Sequence, residues 1–427
     1  MSKTFVLLAL ALVLAVAVGG CASAPPAPAA SQAQPAQQQA QPAQPAQAQP
    51  AQAQATQAPA APTQAPAVKA TTAPAQAPQA SSSGQGKLVD TASIADCKYA
   101  APTPLKEGAQ APLSTLSYKG GDMTIAYLPM GTEFNYHVAL NEGIKSIAAQ
   151  NPHIKSFMLS PYKGTDQAAQ MGMLQDVTNR DDVNAIVLIS FDEQALAPLV
   201  TEAVKKGKAV IIVNSDIPNF PTPVHGVIGV NQRAVNKKLA DWARQTYGEG
   251  AKKVAVLEGE PGYLNDQRSG GFKDGVNGTN WKVITSVNGG WSVDKGNRTA
   301  MDVLQAHPDT EVLYAANDYM AEGAALAAKE LGRKDLVILG YDGDTNALED
   351  IYNGTMTATT NTMPVIMGRL AACYAIDILN GKIQGGYVNT PTEIVTKDNA
   401  GQVLAKVKDL YPKPSDEILK KLGVSSN

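Results

Sequence analysis

Cysteine and histidine, the most common protein ligands of transition metals, are scarce in this chain of 427 residues. The sequence contains three cysteines and four histidines. No cysteine or histidine pair has the spacing of a metal site. The histidines are His137, His153, His225 and His307. The sequence therefore predicts no bound metal.

Sequence motifs of catalysis are missing as well. There is no Walker loop, no G-x-S-x-G nucleophile elbow and no metalloprotease motif. No second carboxylate lies at a predictable distance from a first, as glycoside hydrolysis would require. The sequence therefore predicts neither a catalytic site nor a cofactor.

The chain has no stripe of basic residues. It holds 35 Lys and Arg against 38 Asp and Glu, a net charge of −3. Proteins that bind nucleic acid carry clustered positive charge for the phosphate backbone. The charge pattern therefore argues against nucleic acid as a partner.

The first 21 residues indicate export from the cytoplasm. Lys3 precedes an apolar run from Phe5 to Val18, which is too short to be a trusted membrane span. The sequence Val18-Gly19-Gly20-Cys21 resembles the bacterial lipobox, in which the cysteine becomes lipid-modified and forms the new N-terminus. The resemblance implies that Cys21 anchors an extracytoplasmic protein to the membrane through lipid alone. The alternative is a plain signal peptide with an incidental cysteine.

Residues 22–86 consist mainly of Ala, Pro, Gln, Ser and Thr. Such a segment cannot bury enough apolar surface to offset its ordering entropy, so we predict a disordered tether. Residues 87–121 form a predicted N-terminal extension of the folded part. Cys97 lies in this extension and Cys373 in a helical pattern; the two could form a disulfide, or both could be free.

Short apolar runs alternate with amphipathic stretches from Thr124 to Met367, the pattern of βα units with parallel sheets. Strands are predicted near 124–128, 154–159, 185–189, 209–213, 224–230, 254–257, 282–286, 312–315 and 337–341, with extended stretches at 355–361 and 387–395. Helices are predicted near 136–149, 165–179, 193–206, 233–247, 267–277, 295–307, 320–331 and 366–380.

These two series of similar length predict an α/β protein of two doubly wound, parallel-sheet lobes joined by a three-segment hinge. The alternative is one large domain with a single sheet. We assign residues 122–230 and 363–390 to lobe one, and residues 231–362 and 391–427 to lobe two.

Six of the apolar runs are followed closely by polar or aromatic side chains. Ligands of open parallel α/β sheets bind at the carboxyl ends of the strands. Amide, carboxylate, guanidinium and ring groups suit a small polyhydroxylated molecule, because hydroxyls need hydrogen-bond partners and apolar sugar faces need flat ones. The side chains are Phe134, Asn135, Tyr136, Asn214, Ser215, Asp216, Arg268, Trp291, Asn317, Asp318 and Asp342.

Five motifs, in this order along the chain, resemble the ribose-binding group of type I periplasmic sugar-binding proteins. They are Glu142-Gly143-Ile144, Val210 to Asp216, Gln267 to Phe272, Ala316 to Ala321 and Ile338 to Gly343. The resemblance covers roughly Asp122 to Asp398. It implies a binding protein, not an enzyme, that captures a small sugar or polyol between two lobes for the permease of an ABC importer; we expect a monomer.

The resemblance also implies which residues contact the ligand. The family's sugar contacts fall on Tyr136, Asn214, Arg268, Trp291, Asn317 and Asp342. A seventh contact, usually glutamine, falls on Thr362 with Asn361 beside it, and Phe134 and Asp216 complete the predicted set. The family's second aromatic residue in the first loop falls on His137. The predicted pocket therefore differs from a ribose site.

Structural roles are alternatives for several of these residues. Asn317 and Asp318 could cap the helix that follows them, and Trp291 could belong to the core. Arg268 could pair with Asp266 at the surface, although its guanidinium also suits vicinal hydroxyls. Two other functions remain open: a receptor that presents an autoinducer, sugar or nucleoside to a membrane sensor, and an extracytoplasmic carbohydrate enzyme.

Overall fold

A computed structural model describes residues 89–94, 96–190, 192–216 and 220–425 of the chain. All the described residues belong to one compact unit, Ala80–Asn427. The predicted signal peptide, the predicted lipidation residue Cys21 and the predicted tether lie outside the described residues.

The described residues contain twelve strands and eleven α-helices. The strands are β1 Met123–Leu128, β2 Ile154–Met158, β3 Ala185–Leu188, β4 Ala209–Val213, β5 Gly226–Gly229, β6 Lys252–Glu258, β7 Trp281–Asn288, β8 Val312–Ala315, β9 Val337–Asp342, β10 Ala358–Asn361, β11 Gly386–Asn389 and β12 Glu393–Thr396. The helices are α1 Asn135–Ala148, α2 Gln167–Asn179, α3 Glu193–Lys205, α4 Gln232–Tyr247, α5 Tyr263–Val276, α6 Val293–Ala306, α7 Asp318–Glu330, α8 Thr345–Asn353, α9 Pro364–Leu379, α10 Lys397–Leu404 and α11 Asp416–Leu422. None of these helices has the length and apolar character needed to cross a membrane.

The strands form two six-stranded sheets. The first has the order β11-β5-β4-β3-β1-β2, and all its neighbouring strands are parallel. The second has the order β12-β10-β9-β8-β6-β7 and is parallel except that β12 runs antiparallel to β10. We call the first sheet and the helices packed on it lobe one, and the second lobe two. The predicted class, two parallel-sheet α/β lobes, is confirmed.

The sheet of lobe one carries helices on both faces, and the alternation of side chains along β1 shows this. In β1, Ile125 and Tyr127 belong to a core shared with α1 and α9, whereas Ala126 and Leu128 belong to a core shared with α2 and α3. Successive strand side chains point to opposite faces. All six residues of β1 are buried, which is why the sequence shows a continuous apolar run instead of an alternating one.

The chain passes between the two sheets three times: from β5 to β6, from β10 to α9, and from β11 to β12. Each lobe has its own apolar core. Three connections between two lobes with separate cores agree with the three-segment hinge predicted from the sequence. The residue boundaries assigned to the lobes from the sequence stay predictions.

The C-terminal part of lobe two contains helices that the sequence pattern did not indicate. Helices α8, α10 and α11 span nine, eight and seven residues. Segments of this length show too few turns for an apolar period to emerge. Helix α5 begins at Tyr263, four residues before the predicted start. The sequence did not indicate this start, because the residue at the N-cap position is Gly262, which has no side chain to mark it.

The N-terminal extension packs on lobe one. Cys97 forms a disulfide with Cys373 of α9, with a Cα–Cα distance of 5.4 Å. The hydroxyls of Thr91 and Tyr99 donate hydrogen bonds of 2.5 and 2.6 Å to the carboxylate of Asp377, also in α9. Of the two states that the sequence left open, the structure contains the disulfide.

Candidate functional site

A cavity of about 90 Å³ lies where loops at the carboxyl ends of the two sheets meet. A buried water needs roughly 10–15 Å³ on this scale, so the cavity has room for about seven waters or one small molecule. Lobe one contributes Phe134, Tyr136, His137 and Asn214 to its lining, and lobe two contributes Arg268, Trp291, Asn317 and Asp342. Seven of the ten predicted ligand contacts are thus brought together, with His137 beside them.

Arg268 and Asp342 form a buried ion pair at the lobe-two side of the cavity. Arg268 Nη2 lies 3.1 Å from Asp342 Oδ1, and the side chain of Arg268 is 5% exposed. Arg268 Nε donates to Gln232 Oε1 at 2.7 Å, and its guanidinium lies 4.2 Å above the ring of Tyr341. Arg268 therefore pairs with Asp342, and the alternative of a surface pair with Asp266 does not apply.

Carboxyl groups on this side of the cavity are hard to ionise. Burial raises the pKa of Asp342 to about 7, although the Arg268 guanidinium lowers it and the Asp318 carboxylate raises it further. Burial also raises the pKa of Asp318 to about 6. A hydrogen-bond donor that enters the cavity would favour the ionised forms, so donors in a ligand match the electrostatics of this wall.

Tyr136 is 3% exposed and its hydroxyl lies in a hydrogen-bond network. The hydroxyl donates to Asn214 Oδ1 at 3.1 Å and lies 3.0 Å from Thr362 Oγ1, where either oxygen could be the donor. The Thr362 hydroxyl also lies 3.1 Å from the Asp342 carbonyl oxygen, to which it donates. This network joins Asn214 of lobe one to the crossover segment after β10.

Asn317 caps a helix and also holds the loop that carries Trp291. Its Oδ1 accepts a hydrogen bond from Met320 N at 3.0 Å, as an N-cap of α7. Its Nδ2 donates to the carbonyl oxygen of Trp291 at 3.1 Å. The capping alternative is therefore correct for Oδ1, yet the side chain also lies in the cavity wall. Asp318 is fully buried and accepts hydrogen bonds from Gly343 N, Asp344 N and the Thr359 hydroxyl.

Three cavity residues have strained backbones. In the part of the chain that the structure describes, the non-glycine residues with positive φ are Asn214, Trp291, Asp342 and Met363. The first three, at φ values of 56°, 60° and 131°, line the cavity. Residues held in such conformations cluster at functional sites. The positive φ angles therefore point to the same candidate site as the polar and aromatic side chains.

The two lobes touch around the cavity. Tyr319 of α7 accepts a hydrogen bond through its hydroxyl from Asn135 N at 2.9 Å, and its ring lies edge-on to Phe134 at 5.7 Å. The Tyr263 hydroxyl donates to Asp216 Oδ1 at 3.0 Å. These contacts join α5 and α7 of lobe two to loops of lobe one, so the structure represents the lobes in a closed arrangement.

Comparison with known proteins agrees with this architecture. Residues 125–383 match the family model described as a periplasmic binding protein domain. The chain belongs to this family of periplasmic binding proteins. Among curated relatives, the D-ribose/D-allose-binding protein of Pseudomonas aeruginosa is 28% identical over 276 residues, covering 61% of this chain and 85% of that protein. The ribose import binding protein of Bacillus subtilis is 27% identical over 262 residues, covering 61% and 83%.

A solved structure of the same fold is the Caulobacter myo-inositol binding protein bound to myo-inositol. It aligns with a TM-score of 0.60 at 26% identity, covering 67% of this chain and 97% of that chain. The residues that match the family model, 125–383, run from β1 to the end of α9 and stop before β11.

Three predicted contacts of this periplasmic binding protein lie outside the cavity lining. Asp216 accepts the hydrogen bond from Tyr263. Asn361 accepts a hydrogen bond from Met363 N and donates to Glu393 at 3.2 Å. Thr362 is buried between Tyr136 and the Asp342 carbonyl. In the structure these residues support the cavity and the crossovers; as ligand contacts they stay predictions.

Several cavity residues were missed by the sequence analysis. They are Glu133, Glu260, Tyr263, Asn265, Tyr319 and Asp344. A signal for some of them was present, because Glu260 and Asp344 each lie two residues beyond the end of a strand. The predicted site included only Arg268, which lies in α5, after the first of these strands, and only Asp342, the last residue of β9, at the second. Reading every polar residue of each loop would have found both carboxylates.

Proposed function

We propose that this periplasmic binding protein captures a small sugar or polyol in the cavity between its lobes and delivers it to an ABC importer. The observation that carries the proposal is the lining of the cavity. Side chains from both lobes, with amide, carboxylate, guanidinium and aromatic groups, line one cavity. Polar groups of this kind satisfy hydroxyls, and rings pack against the apolar faces of a sugar.

The size of the cavity supports a monosaccharide or cyclitol. About 90 Å³ holds on the order of ten non-hydrogen atoms and has no space for a chain of sugars. The relatives point to the same class, since their names state ribose, allose and myo-inositol. We assign ligand contact to the seven predicted residues in the lining: Phe134, Tyr136, Asn214, Arg268, Trp291, Asn317 and Asp342.

Ligand capture requires that the lobes move. With Tyr319 bonded to Asn135 and Tyr263 bonded to Asp216, the cavity is roofed by contacts between the lobes. A ligand enters when these contacts open, and it favours the closed form because it makes bonds to both lobes only there. The closed form then presents a joint surface of the two lobes to the permease.

The proposal places the protein outside the cytoplasm as a monomer. We further propose that it is held to the membrane by lipid on Cys21 and that residues 22–86 serve as the tether. A binding protein of this kind needs no catalytic group and no cofactor.

A thermal-shift screen tests the proposed function. The purified chain from residue 87 onward, refolded from denaturant to remove any copurified ligand, is heated with D-ribose, D-allose, D-glucose, D-galactose and myo-inositol. We expect at least one of them to raise the melting temperature, because a ligand that binds only the folded state stabilises it by mass action. Amino acids of similar size serve as controls. Stabilisation by amino acids alone, or by no compound, contradicts the proposal.

A further inference from the structure

Asp344 is a buried carboxylate in the cavity wall that the chain leaves without a hydrogen-bond partner. It lies between the end of β9 and the start of α8, is 4% exposed, and lines the cavity. Neither of its carboxylate oxygens has a hydrogen-bond partner within the described residues. Buried polar side chains nearly always have partners. An exception beside a ligand cavity therefore points to a partner that comes from outside the chain.

The other carboxylates in the cavity wall do have partners. Glu133 accepts a hydrogen bond from Gly164 N at 2.6 Å, Glu260 lies 3.1 Å from Lys295 Nζ, and Asp342 is paired with Arg268. Four carboxylates thus face one guanidinium in the lining, and that guanidinium is already paired. Of these four, Asp344 is the one whose side chain has neither a hydrogen bond nor an ion pair among the described residues.

Among the described contacts, none gives the Asp344 side chain a structural role. Asp344 occupies the N-cap position of α8, yet its side chain makes no capping hydrogen bond. The loop is held instead by Asp318, whose Oδ2 accepts hydrogen bonds from Gly343 N and Asp344 N at 2.7 and 2.9 Å. Burial and the neighbouring carboxylates raise the pKa of Asp344 well above its usual range. The folded protein therefore gains nothing from this side chain on its own.

We propose that Asp344 contacts the ligand and determines specificity, by accepting hydrogen bonds from ligand hydroxyl or ammonium groups and by excluding anionic ligands such as uronates and sugar phosphates. The inference rests on the proposed function of the same cavity. Donors from the ligand fill the unused acceptors of Asp344. Ligand donors favour the ionised form of Asp344, whereas a ligand carboxylate or phosphate would bring a negative charge that opposes ionisation of Asp344 and Asp342 in a volume with little water to screen it.

The test compares Asp344→Asn and Asp344→Ala with the wild type and with Asp302→Asn, a control at an exposed carboxylate on α6 of the same lobe. The probe is whichever of D-ribose, D-allose, D-glucose, D-galactose and myo-inositol stabilises the wild type most, and affinity is measured by titration calorimetry. We expect Asp344→Ala to bind at least about tenfold more weakly and Asp302→Asn to bind as the wild type does.

Ligand-free melting temperatures separate ligand contact from a structural role. We expect both Asp344 variants to melt at or above the wild-type temperature, since they remove a buried carboxyl that has no partner. Melting clearly below the wild type in both variants, or affinity within twofold of the wild type in Asp344→Ala, would overturn the inference. If no neutral probe binds the wild type, the proposed function fails and this inference fails with it. If the wild type binds a neutral probe and the Asp344 variants bind it with the same affinity, the inference about Asp344 is wrong and the proposed function stands.

A second readout concerns charge. D-glucuronate, D-galacturonate and D-ribose 5-phosphate should give no stabilisation of the wild type at concentrations where the best neutral probe saturates. An anionic compound that binds the wild type more tightly than its neutral parent would overturn the proposed exclusion.

Discussion

At the scale of single residues, backbone strain marks the positions that face the cavity. Asn214, Trp291 and Asp342 all have positive φ, and such conformations cost on the order of 1–3 kcal/mol each. Specific hydrogen bonds hold two of them: the Trp291 carbonyl accepts from Asn317, and the Asp342 carbonyl accepts from Thr362. The chain thus keeps strained residues at or just beyond strand ends, where they line the cavity.

Gly259 offers a direct test of the Trp291 ring. A Cβ added at Gly259 would overlap the ring atoms of Trp291, so Gly259→Ala should displace the ring and weaken ligand binding about tenfold or more. A tenfold loss corresponds to about 1.4 kcal/mol. Gly250→Ala, where nothing lies within 4 Å of the added Cβ, should bind like the wild type. Titration calorimetry measures both. Equal affinity in the two variants would mean that the position of the ring does not matter.

Glu322 of α7 provides a prediction for pH. Burial, together with the nearby Asp318 and Asp350 carboxylates, raises its pKa to about 8. Because this folded-state pKa lies above the unfolded value, the folded protein binds the extra proton. The stabilising contribution is complete below the unfolded pKa, near 4.5, and is lost as pH rises through about 8.

The melting temperature of the ligand-free protein should therefore fall as the pH rises from about 5 to about 8, and Glu322→Gln should show a smaller fall. Differential scanning calorimetry across this range provides the measurement. A parallel decline in both proteins would show that Glu322 titrates normally.

Sequence reasoning found much of the cavity at this scale, for a simple physical reason. Parallel strands bring their carboxyl ends to one edge, so the residues just beyond them converge regardless of side-chain detail. The rule could not separate Asp342, in the wall, from Asp216, which bonds to Tyr263. The path of a loop decides whether its acidic residue faces the cavity. That path is set by contacts between residues of the two lobes that are distant in sequence.

At the scale of secondary structure, buried parallel strands were predictable and short terminal helices were not. A strand such as β4 is apolar throughout because both faces of its sheet are covered. Helix α10 starts with a capping box formed by Thr396 and Asn399. The more usual box has Glu or Gln at the second position, so the start of α10 is only weakly indicated by its residues.

The disulfide between the extension and α9 should stabilise lobe one without affecting the cavity. It closes a sequence separation of 276 residues, and removing a native disulfide typically costs about 2–5 kcal/mol. The double variant Cys97→Ser/Cys373→Ala should melt at a lower temperature and keep wild-type ligand affinity. Calorimetry with and without reductant measures this, since reductant should lower the melting temperature of the wild type only. A wild type insensitive to reductant would contradict the prediction.

At the scale of the whole molecule, the two lobes each hold half of the proposed site. Tyr136 and Asn214 belong to lobe one, whereas Arg268, Trp291 and Asp342 belong to lobe two. Neither lobe alone lines the whole cavity. If the ligand binds there as proposed, its affinity depends on the equilibrium between open and closed forms as well as on the contacts, and only bonds made in the closed form shift that equilibrium.

Membrane attachment is predicted to be separable from ligand binding. Cys21→Ser should release the protein from the membrane fraction and leave its ligand affinity unchanged, because the proposed anchor is a lipid on Cys21 and the predicted tether separates it from the lobes. Fractionation of cells that express the full chain, followed by immunoblotting, measures the release. A variant that stays in the membrane fraction would show that the apolar run from Phe5 to Val18 is retained as the anchor.

The central claim is that one small sugar or polyol binds in the cavity between the lobes. Titration calorimetry of the wild type, Trp291→Ala and Tyr162→Ala with the best neutral probe tests it most directly. Tyr162 is an aromatic residue at 71% exposure that does not line the cavity, so its variant is the matched control. The account predicts one ligand per chain, a loss of at least about tenfold in Trp291→Ala, and no change in Tyr162→Ala. Wild-type affinity in Trp291→Ala would contradict it.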